Sequence, residues 1–379
     1  MSDESETKAA DVATGQAGQA GSTSSAQAVS SRPSAVASSG SAASKAPPAN
    51  SAKASATKAD TAKAETPVYL SSSPHFTQGL STQRIMLTVL VALLPECVFG
   101  VLYFGPHALA VIVTCVASCA VFEYLFQRIT GQKVVVSNLS CCVSGVMLAL
   151  VLPSTTPIWM AVLGSFVAMV VAKGLFGGIG SNVFNPALTG RAFMFISFPA
   201  ALGATWFDPA VDAVSSATVL SSIKAGTFVA SPDVYLQFFL GSKAGCIGEV
   251  SALLIVLSFV YLLFVQVIDW RAPLAMVATV AVCTLVTGGD VLLSLLTGGL
   301  LFGAVFMVTD YATAPVTKPG RLVFGAGCGL VTFLIRKWGG YPEGVMFSIL
   351  IMNAIVPFLN NLTSRMYGYG KRGSKEAIK

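Results

Sequence analysis

The stretch GVMLALVLPSTTP, residues 145–157, resembles a second stretch of the same chain, GAVFMVTDYATAP, residues 303–315. The two stretches match at the leading glycine, at a threonine and at the closing proline. In each case a further apolar segment follows and ends at a glycine pair, at 177–178 or at 339–340. This spacing indicates an internal duplication, although two glycine-rich helix ends could also look alike by chance.

Apolar segments of nearly membrane-spanning length surround these stretches. Of the 379 residues, 54% are hydrophobic and 11% are charged. A soluble domain carries about 25% charged residues, and a helix of ~20 apolar residues spans a hydrocarbon core of ~30 Å. The apolar segments are roughly 85–105, 108–125, 137–152, 157–172 and 184–204, and then 252–268, 272–287, 291–308, 322–335 and 345–359. The sequence therefore predicts an all-α integral membrane protein with about ten transmembrane helices.

The two sets of five segments are predicted to be inverted repeats. Because five is an odd number, the second set would cross the membrane in the opposite sense to the first. Inverted repeats with interrupted helices are typical of transport proteins, whose sites lie where the repeats meet. Basic residues predicted on the cytoplasmic side are Arg128, Lys133, Lys173, Arg271, Lys318, Arg321, Arg365, Lys371, Arg372, Lys375 and Lys379, against Lys224, Lys243, Arg336 and Lys337 outside. By the positive-inside rule, both termini are cytoplasmic.

The predicted organisation has five parts. Residues 1–66 are rich in Ala, Ser and Lys without any aromatic residue, which predicts a disordered cytoplasmic tail. They do not have the pattern of a signal peptide. Residues 67–205 and 248–362 form the two membrane repeats, residues 206–247 an extracytoplasmic loop, and residues 363–379 a basic cytoplasmic tail.

Several function classes receive no support from the composition. The eight cysteines form no C-x-x-C pair, most of them lie in apolar segments, and the chain has two histidines, so no metal site or disulfide framework is predicted. Cys141-Cys142 alone cannot hold an iron–sulfur cluster, although a partner chain could complete one. No nicotinamide-binding motif is visible. The basic residues lie mainly in loops and tails, which indicates membrane topology rather than nucleic-acid binding.

The extracytoplasmic loop contains the polar stretch DAVSSATVL, residues 212–220. One interpretation is structural, since Ser215 or Ser216 could cap a short helix. A second interpretation is that hydroxyl and N–H groups at a helix start suit a phosphate. A hydroxyl can also be esterified, which would fix a phosphorylated cofactor to the loop permanently.

The same stretch resembles the flavinylation motif D-x-x-[ST]-[GS]-A-T, whose final threonine carries FMN through a phosphoester bond made by a flavin transferase. Other stretches resemble the RnfD family of Rnf complexes, in the same order: SSPHF (72–76), GGIGSNVFNPALTGRAF (177–193), GEVSALL (248–254), DWRAP (269–273) and GGYPEGVMFSILIMNAIVP (339–357). The Rnf complex is a membrane ion-translocating ferredoxin:NAD⁺ oxidoreductase. This family is homologous to the NqrB chain of the sodium-pumping NADH:quinone reductase. The resemblance covers about residues 70–360.

The resemblance implies a covalent FMN. Thr218 would be the attachment point, and the other matching residues of the motif, which would shape the loop for the transferase and hold the phosphate, are Asp212, Ser215, Ser216 and Ala217. In the quinone-reductase relative, the asparagines of an N-x-x-F-N-P-A stretch contact a second, non-covalent flavin, riboflavin. Asn182 and Asn185 are the candidates here, while Asn185 before Pro186 is equally a good helix start.

An ion path is predicted among the ionisable groups in or beside the apolar segments, because such groups are costly in lipid. They are Glu96, Glu123, Lys173, Arg191, Glu249, Asp269, Asp310 and Glu343. Asp310 is favoured, since it ends a shortened segment beside Thr309 and Thr313 at a repeat-related position. The family usually reads T-D-P here, whereas this chain has Tyr311, and loss of the proline should loosen the helix end.

The resemblance therefore implies a membrane component that relays electrons through FMN and contributes to Na⁺ or H⁺ translocation, without a complete active site of its own. The implied partners are other Rnf subunits that bear flavin and iron–sulfur groups, the flavin transferase and membrane lipid, in a prokaryotic inner membrane. Two alternatives stay open. One is the NqrB chain of the quinone reductase, against which YPEG and the short lead-in to the first helix argue. The other is a flavin-free transporter or channel.

Overall fold

Helices fill the first half of the described chain. The computed structural model describes residues 81–203, 206–208, 213–215, 219–224, 232–241, 245–341 and 343–366. The first-half elements are α1 (Thr82–Phe104), α2 (Pro106–Ile129), a 3₁₀ turn (Val136–Asn138), α3 (Ser140–Leu150), α4 (Ile158–Phe166), a π-helical continuation of α4 (Val167–Gly174), α5 (Pro186–Ser197) and α6 (Pro199–Gly203). The predicted tail 1–66 and most of the tail 363–379 lie outside the described residues.

The polar stretch contributes short elements and the second half is again helical. The polar-stretch elements are β1 (Trp206–Asp208), β2 (Ala213–Ser215), α7 (Val219–Lys224) and α8 (Pro232–Leu240). The second-half elements are α9 (Ala252–Phe264), α10 (Arg271–Val286), α11 (Val291–Leu296), α12 (Leu300–Phe302) with its π-helical continuation (Gly303–Met307), α13 (Lys318–Trp338) and α14 (Val345–Met366). Strands β1 and β2 pair antiparallel. This small ribbon is an addition to the all-α prediction, which holds for the apolar segments.

Helix starts follow ordinary capping chemistry. The Ser81 side chain accepts a hydrogen bond from the backbone N–H of Arg84 at the start of α1. Thr317 does the same for Gly320 at the start of α13, where a proline occupies the first turn. Such caps satisfy backbone N–H groups that have no partner inside the helix.

The surface of the helices indicates lipid contact. Helices α1, α2, α13 and α14 are long and apolar enough to cross a membrane. Large apolar side chains stay exposed, among them Ile129, which is 82% exposed, and Phe264, which is 88% exposed. Apolar surface on this scale needs a nonaqueous neighbour. The predictions of a mostly helical chain and of a multi-pass membrane protein are therefore confirmed.

The two halves share one hydrophobic core. Fully buried side chains include Leu150 from the first half and Phe302 and Phe324 from the second. The backbone also joins the halves, because the N–H of Gly248 donates to the carbonyl of Leu150 over 2.7 Å. Within the second half, a Cβ on Gly325 would overlap the carbonyl oxygen of Ala272. Small residues of this kind let α13 approach α10 closely, as in other membrane helix pairs.

A compensated charge cluster lies between α9 and α10. Arg271 and Arg321 both donate to Asp269 Oδ2, over 2.8 and 2.9 Å. Burial raises the pKa of Asp269, but hydrogen bonds from the Arg271 backbone and from both guanidinium groups outweigh burial and lower its pKa overall. This carboxylate therefore stays ionised and holds α10 and α13 together at that end.

Two of the basic residues that were predicted in loops are buried inside helical segments. Lys173 lies in the π-helical continuation of α4, and Arg336 lies in α13, which is longer at both ends than the predicted segment 322–335. Lys173 is 4% exposed and Arg336 is 9% exposed. The positive-inside argument therefore loses one basic residue on the predicted cytoplasmic side, Lys173, and one on the predicted outer side, Arg336. Both charges are held by specific partners inside the protein, as described below.

Candidate cofactor cavity and buried arginine cluster

A cavity of about 320 Å³ lies between helices of the first half and residues 310–312 of the second half. Residues 310–312 follow the end of the π-helical segment Gly303–Met307. Its apolar wall includes Ile85 and Met86 of α1 and Val143 and Met147 of α3. The polar groups on its wall are Thr82, Ser140, Ser144, Lys173, Asn182, Asn185 and Asp310. A mainly apolar cavity with a few convergent polar groups is typical of a site for a small organic ligand.

The two predicted asparagines reach this cavity from the loop before α5. Asn185 Oδ1 accepts a hydrogen bond from the backbone N–H of Leu188 over 3.3 Å, so Asn185 caps α5. Asn182 Nδ2 donates to the carbonyl of Phe184 over 3.2 Å. Both residues are buried, at 2% and 7% exposure. The capping interpretation of Asn185 is therefore correct, and the same residue also lines the cavity.

Lys173 gives the cavity a buried cation that is already paired. Its Nζ lies 2.9 Å from Glu123 Oε1 and donates to Ser140 Oγ over 2.7 Å. Both ion-pair side chains are 5% exposed. Gln127 Nε2 also donates to Glu123 Oε1, over 3.3 Å. The lysine charge is thus compensated within the protein.

Asp310 lies on the cavity wall at the end of the second-half break. Its Oδ2 accepts a hydrogen bond from Thr313 Oγ1 over 3.1 Å, and the carboxylate faces the backbone N–H of Ala312. No ion pair to Asp310 occurs within the described parts of the chain. The neighbouring Tyr311 hydroxyl donates to the carbonyl of Val267. A tyrosine here therefore ties the chain to the α9–α10 connection, a contact that a proline could not make.

A second buried polar cluster lies at the start of α12. Arg191 of α5 donates to Glu343 Oε2 over 2.8 Å and to Cys246 Sγ over 3.3 Å. Glu343 Oε1 in turn accepts from the backbone N–H of Gly299 over 3.2 Å. Glu249 Oε1 approaches the same glycine so closely that a Cβ there would overlap it. This cluster therefore joins α5 to the second half.

Arg336 lies on the α11 side of this cluster. Its Nη1 donates to the carbonyl of Ser294 over 2.8 Å and its Nη2 to that of Thr297 over 3.1 Å. Its buried Nε has no hydrogen-bond partner among the residues that the structure describes. Gly298 has a φ of +66° and lies between this guanidinium and Leu220 of α7. A glycine is needed there for both conformation and space.

Most of the predicted flavinylation motif cannot be placed. Asp212, Ser216, Ala217 and Thr218 lie outside the described residues, and Ser215 is described only as the last residue of β2. The short helix expected after the motif is α7, which begins at Val219, one residue after Thr218. These residues therefore remain predictions.

Three residues predicted by two separate arguments line one cavity: the asparagines of the N-x-x-F-N-P-A stretch, Asn182 and Asn185, and the ion-path candidate Asp310. Sequence reasoning did not place Ser140 and Ser144 there, because isolated serines in an apolar segment give no pattern. Lys173 is among the ionisable candidates of the sequence analysis, but Arg336 is not, although a basic residue so close to an apolar run is itself a signal of a buried site. No group of three or more His, Cys, Asp or Glu side chains in the described ranges could hold a metal ion.

Comparisons with known proteins agree on one family. The family model described as "NQR2, RnfD, RnfE family" matches residues 69–368. The D subunit of the Na⁺-translocating ferredoxin:NAD⁺ oxidoreductase complex of Acetobacterium woodii is 41% identical over 305 residues, covering 80% of this chain and 96% of the relative. The proton-translocating counterpart of Clostridium ljungdahlii is 40% identical over 311 residues, covering 78% and 94%.

A third relative extends the same result to another bacterium. The D subunit of the ion-translocating oxidoreductase complex of Stutzerimonas stutzeri is 36% identical over 339 residues, covering 77% of this chain and 94% of the relative. The matched region contains the helices, the cavity and the buried arginine cluster described above. The chain therefore belongs to the NQR2, RnfD, RnfE family.

Proposed function

We propose that this chain is the RnfD component of an ion-translocating ferredoxin:NAD⁺ oxidoreductase, the Rnf complex, in a prokaryotic inner membrane. The observation that carries the proposal is the match to relatives with that name over nearly their whole length. The other subunits supply the ferredoxin and NAD⁺ chemistry, since no nicotinamide-binding motif is visible in this sequence. Within the complex, this chain relays electrons and takes part in ion transfer.

The membrane topology proposed is ten transmembrane helices in two inverted repeats with cytoplasmic termini. Its support is the order of the elements. Each half has two helices, then a short or interrupted third segment near the repeated motif, then at least one more long helical segment. The third segment of the first half is the short helix α3, which is followed by the turn 151–157, whereas the third segment of the second half is interrupted at 297–299 and contains a π-helical turn. In this topology the polar stretch 206–247 is extracytoplasmic.

The polar stretch is proposed to carry FMN on Thr218. The motif needs a transferase that recognises Asp212 and the small residues before the threonine, and esterification leaves the phosphate with one negative charge. The resemblance of residues 212–218 to the flavinylation motif and the short helix α7 that begins directly after it support this proposal. A flavin supplies one- and two-electron transfer, which is the chemistry that a relay between neighbouring centres requires.

The cavity is proposed to hold riboflavin, which has no phosphate. Asn182 and Asn185 offer amide groups to a polar ring edge, and the apolar side chains of α1 and α3 offer a surface for the ring. The cavity volume of about 320 Å³ lies within the range of small-ligand sites. Lys173 is neutralised by Glu123, so the wall does not demand an anionic ligand.

Asp310 is proposed to lie on the ion path. Its carboxylate lines the same cavity and is held by Thr313, so a change of charge in the cavity would alter its affinity for a cation. Moving one charge against 100 mV costs about 2.3 kcal/mol. A two-electron drop of ~30 mV releases ~1.4 kcal/mol. Roughly 50 mV of redox drop per translocated charge is therefore the least that coupling requires at that voltage.

The covalent flavin is tested by co-expressing the chain with the flavin transferase. We expect a fluorescent band in a denaturing gel under ultraviolet light, which disappears in Thr218→Ala. Thr227→Ala, in the same polar stretch but outside the motif, is the matched control and should keep the band. A band that persists in Thr218→Ala would move the attachment to another residue, and no band in any variant would leave the chain without covalent flavin.

The complex-level function is tested on the intact purified complex. We expect NAD⁺ reduction by reduced ferredoxin that is coupled to ion uptake into vesicles. Reduction of quinone by NADH, without any reaction of ferredoxin, would instead assign the chain to the sodium-pumping quinone reductase. Ion or solute transport by the chain alone, without flavin, would favour the transporter alternative.

A further inference from the structure

Asn353 is a buried amide inside a membrane-spanning helix. Helix α14 is long and apolar enough to cross a membrane, and Asn353 lies well inside it with 1% exposure. Neither its Oδ1 nor its Nδ2 has a hydrogen-bond partner among the residues that the structure describes. A buried polar group without a partner is costly, and a water molecule or an ion is the usual way to satisfy it.

The backbone at Asn353 also lacks its ordinary helical donor. In an α-helix the carbonyl of one residue accepts a hydrogen bond from the N–H four residues later. Four residues after Asn353 comes Pro357, which lies inside α14 and has no N–H to donate. Asn353 therefore brings a side-chain amide and a backbone carbonyl oxygen to the same level of the helix.

The face of α14 that carries Asn353 contacts the interrupted segment of the second half. One turn before Asn353, Ile349 lies where a Cβ on Gly303 would be 3.6 Å from it. Two turns after Asn353, Asn360 Oδ1 accepts a hydrogen bond from the backbone N–H of Val316 over 3.1 Å. Residues four and seven positions apart share a helix face. Asn353 therefore faces the part of the chain between Gly303 and Val316.

The same part of the chain contains Asp310, the carboxylate proposed for the ion path. Asp310 lines the cavity, whereas Asn353 does not, so the amide is a separate polar position that approaches this stretch from α14. Hard cations such as Na⁺ prefer oxygen ligands. In channels and transporters, carbonyl oxygens of interrupted segments take the place of the water around an ion. The chemistry of Asn353 fits a cation that has lost part of its water.

We propose that Asn353 is a second polar residue of the ion path and binds the partly hydrated cation that the complex transports. The inference rests on the proposed ion-translocating function and adds a residue to it. The amide oxygen and the backbone carbonyl replace water oxygens around the cation, and Nδ2 donates to a water that stays with it. This role accounts for both amide atoms that lack a partner in the described chain.

The test measures ion uptake and stability on the intact purified complex. Asn353→Leu replaces the amide by an apolar side chain of the same branched shape, and ferredoxin-driven uptake into vesicles should fall at least ~10-fold. Uptake is followed with radioactive Na⁺ and with a pH-sensitive dye, so that either ion is detected. Since no hydrogen bond of the described chain is lost, the thermal midpoint should equal or exceed that of the wild type. Asn361→Leu, the same change at an exposed position of α14, is the matched control and should keep wild-type uptake.

Two results for Asn353→Leu would overturn the inference. One is uptake at the wild-type rate. The other is lower uptake together with a lower thermal midpoint, which would give the amide a structural role. If Asn353→Leu does not accumulate, Asn353→Ala, which adds no volume, decides: a ~10-fold loss of uptake supports the inference and wild-type uptake contradicts it. A wild-type complex without ferredoxin-driven uptake would instead remove the proposed function itself.

Discussion

Lys173 and Arg336 occupy similar places in the two halves, but their charges are handled differently. Each lies near the end of the fourth helical segment of its half, shortly before a glycine pair. Each also reaches the third segment, Lys173 through Ser140 and Arg336 through the carbonyls of Ser294 and Thr297. Lys173 forms a direct ion pair with Glu123, whereas Arg336 interacts with Glu249 and Glu343 at longer range, without a direct ion pair in the described chain.

This difference teaches what each buried cation does. Lys173 is neutralised by a direct ion pair, so its cavity does not require an anionic ligand. The charge of Arg336 is balanced at longer range by Glu249 and Glu343, while its Nη atoms hold the carbonyls at the end of α11. The account therefore proposes riboflavin, which has no phosphate, for the Lys173 cavity and a structural role for Arg336, and the two can be tested separately.

The largest effect is expected when the ion pair between Lys173 and Glu123 is broken. Lys173→Met leaves Glu123 buried without its partner, which should cost about 3–5 kcal/mol of unfolding free energy. Lys173→Met with Glu123→Gln should recover most of that loss. Arg336→Met in flavin-free chain should cost less than Lys173→Met, because no ion pair is broken. Thermal unfolding of the three variants in detergent ranks these losses of stability. Equal losses for Lys173→Met and Arg336→Met would show that the two buried cations do not differ.

A smaller effect is expected at the carboxylate of the cavity. Asp310→Asn should lower ion uptake by the intact complex at least ~10-fold, equivalent to about 1.4 kcal/mol, because a neutral amide binds a cation less well. Riboflavin content should stay unchanged. Asp269→Asn removes a carboxylate that lies outside the cavity and is the matched control. Ion uptake at the wild-type rate in Asp310→Asn would exclude this residue from the path.

Asn185 separates helix capping from ligand binding. Asn185→Ala should cost about 1 kcal/mol of stability through loss of the cap, and should also lower riboflavin content. Asn185→Ser keeps a capping oxygen and should restore stability without restoring the flavin. Ser251→Ala removes the cap of α9, away from the cavity, and should leave riboflavin bound. Flavin that returns together with stability in Asn185→Ser would show that capping alone matters.

The smallest effect is expected at Asp269. Because this carboxylate lies outside the cavity, its loss of stability is a reference for the losses measured at the cofactor sites. Its pKa is lowered in the folded chain, so its contribution is full above the ordinary pKa of 3.8 and is lost as the pH falls below it. Asp269→Asn should therefore cost up to about 1 kcal/mol at pH 7, and the difference from the wild type should shrink below pH 3.8. A difference that grows on acidification would contradict this sign.

The sequence predicts the helical segments well because long apolar runs have one stable arrangement in lipid. It also identifies Asn185 as a cap, since Asn before Pro is a local signal. The cavity could not be derived, because Ser140, Lys173 and Asp310 meet only after residues far apart in the chain pack together. The burial of Lys173 was missed for the same reason: its partner, Glu123, lies on another helix.

The most direct test identifies the flavin that stays on the denatured polypeptide and the flavin that is released from it. Chain produced with its transferase is purified away from the other subunits and denatured, and the polypeptide is then separated from the small molecules that this chain releases. We expect FMN to remain on the peptide that contains Thr218 and riboflavin without phosphate to appear in the released fraction. A bare Thr218 peptide, or released FMN in place of riboflavin, would contradict the account.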